Sequence, residues 1–113
     1  MAISYRPATP ADTVPMFEVF HFALAEIDRR LGSADALDPD DPVVREQEWQ
    51  RRKPIFEHLE ATADLSWVAV DDEGTVRGYA RSILRDGDRE LTDFFVHPNF
   101  QGRGLGSELL GRA

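Results

Sequence analysis

Three glycines at alternate positions, Gly102, Gly104 and Gly106, follow an extended apolar segment that ends at Val96 and lead directly into a helical pattern. No other feature restricts the fold as much, because it fixes a strand, an open-backbone loop and a helix in that order. Glycine lets the backbone take positive φ and lets a ligand approach the main chain closely. Successive N–H groups can then converge into an anion-binding nest, to which the following helix adds its free N–H groups and positive dipole end. Such a loop holds a pyrophosphate without a basic side chain, and the plainer alternative is a tight strand-to-helix turn. The P-loop reading fails, because Gly106 is followed by Ser107-Glu108 rather than Lys-Ser/Thr. The dinucleotide fingerprint fits poorly too, because the spacing here is G-x-G-x-G.

The segments before the loop change period part-way along. Ile3 to Arg6 reads as a short strand, and Asp12 as the N-cap of a helix that tolerates Pro15 at its third position. Phe17, Phe20, Leu24, Ile27 and Leu31 recur at spacings of three and four, one apolar stripe that ends at Gly32. An acidic loop over 33–41 leads to Asp41-Pro42, a cap and first helical position. A second helical stretch runs from Val43 toward Ala63, interrupted at Pro54. Its Trp49-Gln50-Arg51-Arg52-Lys53 segment is either a solvated face beside a buried Trp or a site wall. From Ser66 the period becomes two. Ser66–Asp71, Thr75–Arg85 and Arg89–Val96 read as strands joined at Asp72-Glu73-Gly74 and Asp86-Gly87-Asp88, an antiparallel meander. The helix after the glycines has barely two turns, and Ser107, Leu109 and Leu110 are not expected to complete an apolar face. Only one face of the sheet, covered by the first two helices, looks well supplied.

Composition removes several function classes. The chain has 113 residues, which suits one domain, 1–113, and it is 42% hydrophobic and 30% charged, enough apolar mass for a core. Its net charge of −8 argues against nucleic acid as a partner, since phosphate neutralisation needs clustered Lys and Arg. The same charge is compatible with a cationic or amine substrate and with solubility alone. With no cysteine there is no disulfide framework, thiolate nucleophile or Cys-type zinc site, and His21, His58 and His97 lack ligand spacing. No metal is therefore expected. No signal peptide or membrane span is visible, so a cytoplasmic location is the expectation.

The run Val96-His97-Pro98-Asn99-Phe100-Gln101-Gly102-Arg103-Gly104-Leu105-Gly106 resembles the acetyl-CoA signature of the GNAT N-acetyltransferase superfamily, with Gln101, Gly104 and Gly106 on its defining positions. The element order resembles that family throughout. The resemblance implies an α/β (α+β) fold: a mixed, mostly antiparallel sheet flanked by helices, here truncated after the start of the third main helix. It implies acetyl-CoA as co-substrate, with the pyrophosphate on Gln101, Gly102, Arg103, Gly104, Leu105 and Gly106, and Ser107 at the helix start. Main-chain groups of Phe94, Phe95 and Val96 would bond the pantetheine arm and polarise the thioester carbonyl. The reaction implied is direct acetyl transfer to a small-molecule or peptide amine.

Such a transfer needs a group to take the amine's proton. The family often uses an acidic residue on the fourth strand. Glu90, six residues before Val96, comes first and Asp93, three before it and on the other face by alternation, comes second. Either can instead be a surface carboxylate at a strand end, and His97 reads as a loop residue. Neither Tyr5 nor Tyr79 occupies the place of the Tyr that many members use as general acid. The family's later elements lie beyond these residues. A C-terminal continuation or a second copy of the chain is expected to complete the cleft. The alternative to an enzyme is a GNAT-like module that binds coenzyme A or a partner without catalysis.

Overall fold

The computed structural model describes residues 2–32 and 38–113. Four strands, β1 (Ser4–Pro7), β2 (Leu65–Val70), β3 (Val76–Arg85) and β4 (Asp88–Val96), form one sheet in that spatial order, every pairing antiparallel. Two long helices, α1 (Thr13–Arg30) and α2 (Pro42–Thr62), pack on one face, and α3 (Leu105–Arg112) packs on the other. Strand boundaries agree with the period-two reading to within a residue or so. β2 and β3 are joined by a turn whose Asp71 carboxylate accepts from the amides of Glu73 and Thr75 at 2.9 Å each and from Arg77 Nε at 2.9 Å. β3 and β4 are joined at Asp86-Gly87, both with positive φ (52° and 85°), the signature of a tight hairpin. Part of the acidic loop expected over 33–41 lies outside the described residues.

Several expectations change. Asp12 stands at the N-cap position of α1, yet its side chain makes no cap bond there. It turns back instead to accept from Arg6 at 2.7 and 3.0 Å and from the Thr9 amide at 2.7 Å, tying β1 to the start of α1. The α1 stripe is displaced: Met16, Phe17, Val19 and Ala23 are buried, whereas Ile27 and Leu31 are 45% and 78% exposed. α2 is not interrupted at Pro54 but passes through it. Pro54 and Gln50, whose carbonyl loses its partner, are both exposed. Water can satisfy that carbonyl, while Trp49 and Phe56 on the inner side anchor the helix on Phe17. Asp41 caps α2 as expected, accepting from the Val43 amide at 2.9 Å.

The second face of the sheet is also better covered than expected. Leu105 (2% exposed) and Leu109 (fully buried) join Phe100, Ala69, Ala80 and Val96 in a second apolar cluster, with Tyr5 and Trp67 at its rim. Gly78 makes this possible: a Cβ there would lie 2.7 Å from Leu105 Cδ2 and 3.0 Å from Leu109 Cδ1. Its absence lets α3 settle directly on β3. Among the described residues, β4 has no partner on its far side, and no helix is long and apolar enough to cross a membrane.

Candidate active site

β4 positions the site, and its ladder decides which groups face outward. The His97 amide donates to Arg77 O at 2.8 Å, so by antiparallel alternation Phe95 also turns its backbone toward β3. Phe94 and Val96 then direct their N–H and C=O groups to the free edge. Gln101 Nε2 donates to Val96 O at 3.1 Å, which fits this direction and pins the loop against the strand end. The intervening His97-Pro98-Asn99-Phe100 turn is stabilised internally: His97 Nδ1 accepts from the Asn99 amide at 3.2 Å. Burial, reinforced by the nearby Arg77, holds the His97 imidazole below its ordinary pKa. These contacts give His97 a structural place in the loop.

The glycine loop then presents its amides. Gly102 and Gly104 both have left-handed φ, 79° and 77°, a conformation that would strain a side chain. An added Cβ at either would meet nothing within 4 Å, so the space above them is open. Among the described residues, the amides from Gly102 to Ser107 donate no hydrogen bond, and the first α3 bond across its N-terminus is Glu108 N to Gly104 O. A run of unpaired N–H groups at a helix start is chemically suited to receive an anion. Leu105 offers only its amide, because its side chain is in the core. The Arg103 guanidinium lies over the Phe100 ring, 5.1 Å from its centroid.

A cavity of about 350 Å³ opens where these pieces meet, lined by Phe94, Phe95, Val96, Gln101, Gly102 and Gly106, with Ala23 and Ile27 from α1. It wraps the free edge of β4 from the α1 face to the α3 face. The structure thus gathers around this cavity six of the residues assigned to the coenzyme from sequence, whereas Gly104 and Ser107 line a second cavity beside Glu108, Gly111 and Arg112, and Arg103 and Leu105 line neither. Sequence reasoning missed Ala23 and Ile27. Ile27 belongs to the apolar stripe that runs on to Leu31, whereas Ala23 gives no signal in the sequence.

The two candidate carboxylates sit in different surroundings. Arg81 pairs with Asp93 but Ser82 pairs with Leu91, so Thr92 is an extra residue in β4. That bulge corrects the alternation argument. Glu90, opposite Ile83, falls on the same face as Asp93, opposite Arg81, and Val96 is on the other. Glu90 is half exposed near the hairpin, 3.8 Å from Arg85 Nη1. Asp93 is largely buried, its side chain 12% exposed, with Oδ2 3.3 Å from Arg81 Nη2 and Oδ1 accepting from Thr92 Oγ1 at 3.0 Å. Burial pushes the Asp93 carboxyl above the usual carboxylate range, and the Arg81 guanidinium pulls against that shift. The Tyr79 phenol lies beside this pair without a well-formed hydrogen bond, and burial, then the Asp93 charge, push its pKa up.

The family model described as the acetyltransferase (GNAT) family matches residues 24–113. The chain belongs to the GNAT acetyltransferase family. Solved structures similar to this GNAT chain include a GNAT-family acetyltransferase from Staphylococcus aureus (19% identity, TM-score 0.63, covering 97% of this chain and 63% of that one). Another is a Brucella melitensis GNAT acetyltransferase in complex with acetyl-CoA (24% identity, TM-score 0.61, 96% and 64%). A third is the PaiA N-acetyltransferase of Thermoplasma acidophilum in complex with coenzyme A (19% identity, TM-score 0.69, 97% and 68%). At these identities the likeness is one of fold, and the GNAT chain spans under two thirds of the length of the first two. No curated protein matches the sequence.

Proposed function

We propose that this GNAT chain forms the coenzyme-binding part of an acetyl-CoA-dependent N-acetyltransferase that moves an acetyl group to a primary amine by direct attack. One observation carries the reading: the run of unpaired amides from Gly102 to Ser107 begins at the cavity that Gly102 and Gly106 share with Phe94 and Val96, whose backbone faces the free edge of β4, and continues to the adjoining cavity lined by Gly104 and Ser107. Amides fixed in this way are suited to the two ends of such a ligand. The loop amides and the α3 N-terminus meet the pyrophosphate. The β4 edge bonds the pantetheine arm and directs an N–H at the carbonyl oxygen, where negative charge develops during transfer. Acetyl-CoA supplies the activated thioester carbonyl.

The rest is proton traffic and positioning by the chain. The amine nitrogen forms the new C–N bond, the C–S bond breaks with its electron pair leaving on the coenzyme A sulfur, which takes a proton from solvent, and the amine's proton must leave. Asp93 is the proposed acceptor of that proton, directly or through water, in preference to Glu90. It lies two residues from Phe95 on the same face, whereas Glu90 lies out at the hairpin. The free edge of β4 is also where a further strand, from the same protein or a second copy, would add and close the cleft. The test is coenzyme A release from acetyl-CoA with a panel of primary amines, comparing the wild type with Asp93→Asn. The transferase reading expects amine-dependent release that Asp93→Asn lowers by about 10²-fold or more, the usual contribution of a positioned base. Coenzyme binding with no amine-dependent release would favour a non-catalytic coenzyme-binding module.

A further inference from the structure

Within the sheet and beneath α2 lies a charged group that the coenzyme site does not use. Arg81, in the middle of β3, has no exposed surface at all. Its guanidinium is stacked against Phe56 (5.1 Å to the centroid) and Tyr79 (5.2 Å). Nη1 donates to Phe56 O at 3.1 Å and lies 3.6 Å from Glu60 Oε2, while Nη2 lies 3.3 Å from Asp93 Oδ2. Nε and Nη2 form no well-aligned hydrogen bond. One buried cation thus stands between two carboxylates, one from α2 and one from β4. Burying such a charge is costly unless it is paired.

We propose that Arg81 is a positioning residue, holding the Asp93 carboxylate ionised and in a fixed orientation, and that Glu60 governs how much of its charge Asp93 receives. The inference rests on the reading of Asp93 as the proton acceptor. Two aromatic rings fix the plane of the guanidinium, so its two ends address different carboxylates and cannot swing freely. The charged and titratable groups facing Asp93 are Arg81 and Tyr79 from β3, and Glu60 from α2 through Arg81. Tyr79 stays protonated, because burial raises its pKa, and so adds a dipole and no charge. Glu60 is itself held by Ser66 Oγ at 3.1 Å, which keeps it within reach of Arg81. Removing Glu60's charge leaves Asp93 as the sole carboxylate partner of Arg81. Removing Arg81 leaves Asp93 buried and uncompensated.

The test follows the Asp93 carboxyl carbon by NMR during a pH titration, beside the pH profile of amine acetylation, in wild type, Glu60→Gln, Arg81→Lys and Arg81→Gln. Arg81→Gln is expected to raise the Asp93 midpoint by about one pH unit or more, the usual effect of losing a cation at this distance. Glu60→Gln, a milder change at the edge of the cluster, is expected to lower it, and Arg81→Lys to leave it nearest the wild type. The acid limb of kcat/KM should move with the midpoint in each case. A purely structural Arg81 would lower turnover with the acid limb in place. Should Arg81→Gln fail to fold, Glu60→Gln decides: an Asp93 midpoint that does not fall overturns the proposal. Turnover with an unmoved acid limb also defeats it, while leaving the transferase reading intact. Absence of turnover in every variant defeats the transferase reading and with it the catalytic role, the NMR midpoints still deciding whether Arg81 controls the charge of Asp93.

Discussion

Gly78→Ala tests whether α3 is seated on the sheet as described. The added methyl would lie 2.7 Å from Leu105 Cδ2 and 3.0 Å from Leu109 Cδ1, with Phe95 O at 3.4 Å. Both leucines are side-chain ends that can move in principle, but they are 2% and 0% exposed, so they have little room. Overpacking of this kind costs about 1–3 kcal/mol. The smaller unfolded-state entropy of alanine returns about 0.4–1 kcal/mol. Taking the middle of each range, the net destabilisation is about 1.3 kcal/mol, or a fall in Tm of roughly 5–10 °C for a chain of this size. The assay is thermal unfolding followed by circular dichroism, run also on Leu105→Ala and on the double variant. Leu105→Ala alone should destabilise by about 2–5 kcal/mol, as truncation of a buried leucine does. In the double variant the new methyl occupies part of the space vacated by Leu105, so the two losses should add to less than their sum, by at least 0.5 kcal/mol or so. Coenzyme affinity should fall in Gly78→Ala too, because α3 carries the loop amides. An unchanged Tm in Gly78→Ala, or strict additivity in the double variant, would refute the close approach of α3 to β3.

Gly104→Val should weaken coenzyme binding by about tenfold or more by calorimetry, since a β-branched residue cannot hold φ near +77° cheaply. Gly104→Asn, which tolerates that region, should bind more nearly like the wild type; equal affinity for Val and Gly would remove the loop from the site. Asp12→Asn should cost roughly 1–2 kcal/mol at neutral pH, as charge-assisted hydrogen bonds commonly do. The pairing with Arg6 holds the Asp12 carboxyl below its ordinary value. That stability is present above the unfolded value of about 4 and is lost as pH falls through the folded value. The gap between Asp12→Asn and wild type in urea midpoints should therefore be flat from pH 7 to 5 and close on further acidification, and a gap that widens there would contradict the pairing.

Much of the architecture was legible in the residues. Strand periods and the Asp-Gly turns located the meander, because inward side chains in a two-layered sheet must alternate and a tight hairpin needs positive φ. The glycine loop was legible for the same reason: Gly102 and Gly104 take a φ few other residues accept. What could not be read was register and reach. Nothing in Leu91-Thr92-Asp93 announces that Thr92 drops out of the ladder, and that one residue puts Glu90 and Asp93 on a common face. A proline inside α2 reads as a break unless it is known to face water. Leu105 and Leu109 looked too few to cover a sheet, and sufficed only because Gly78 lets them reach β3. Nothing in the sequence singled out Arg81, because its partners come from α2 and β4, which sequence spacing does not bring together.

The central claim is that backbone amides between Gly102 and Ser107, with the edge of β4, form the coenzyme site. A titration of isotope-labelled protein with acetyl-CoA, read by amide NMR shifts, tests it most directly. The account predicts saturable changes concentrated at Phe94, Val96 and Gly102 to Ser107, with Ala23 and Ile27 moving beside them. Loop amides that stay in place at saturating acetyl-CoA, or changes gathered around a different cavity such as that between Arg29, Arg77 and His97, would contradict it.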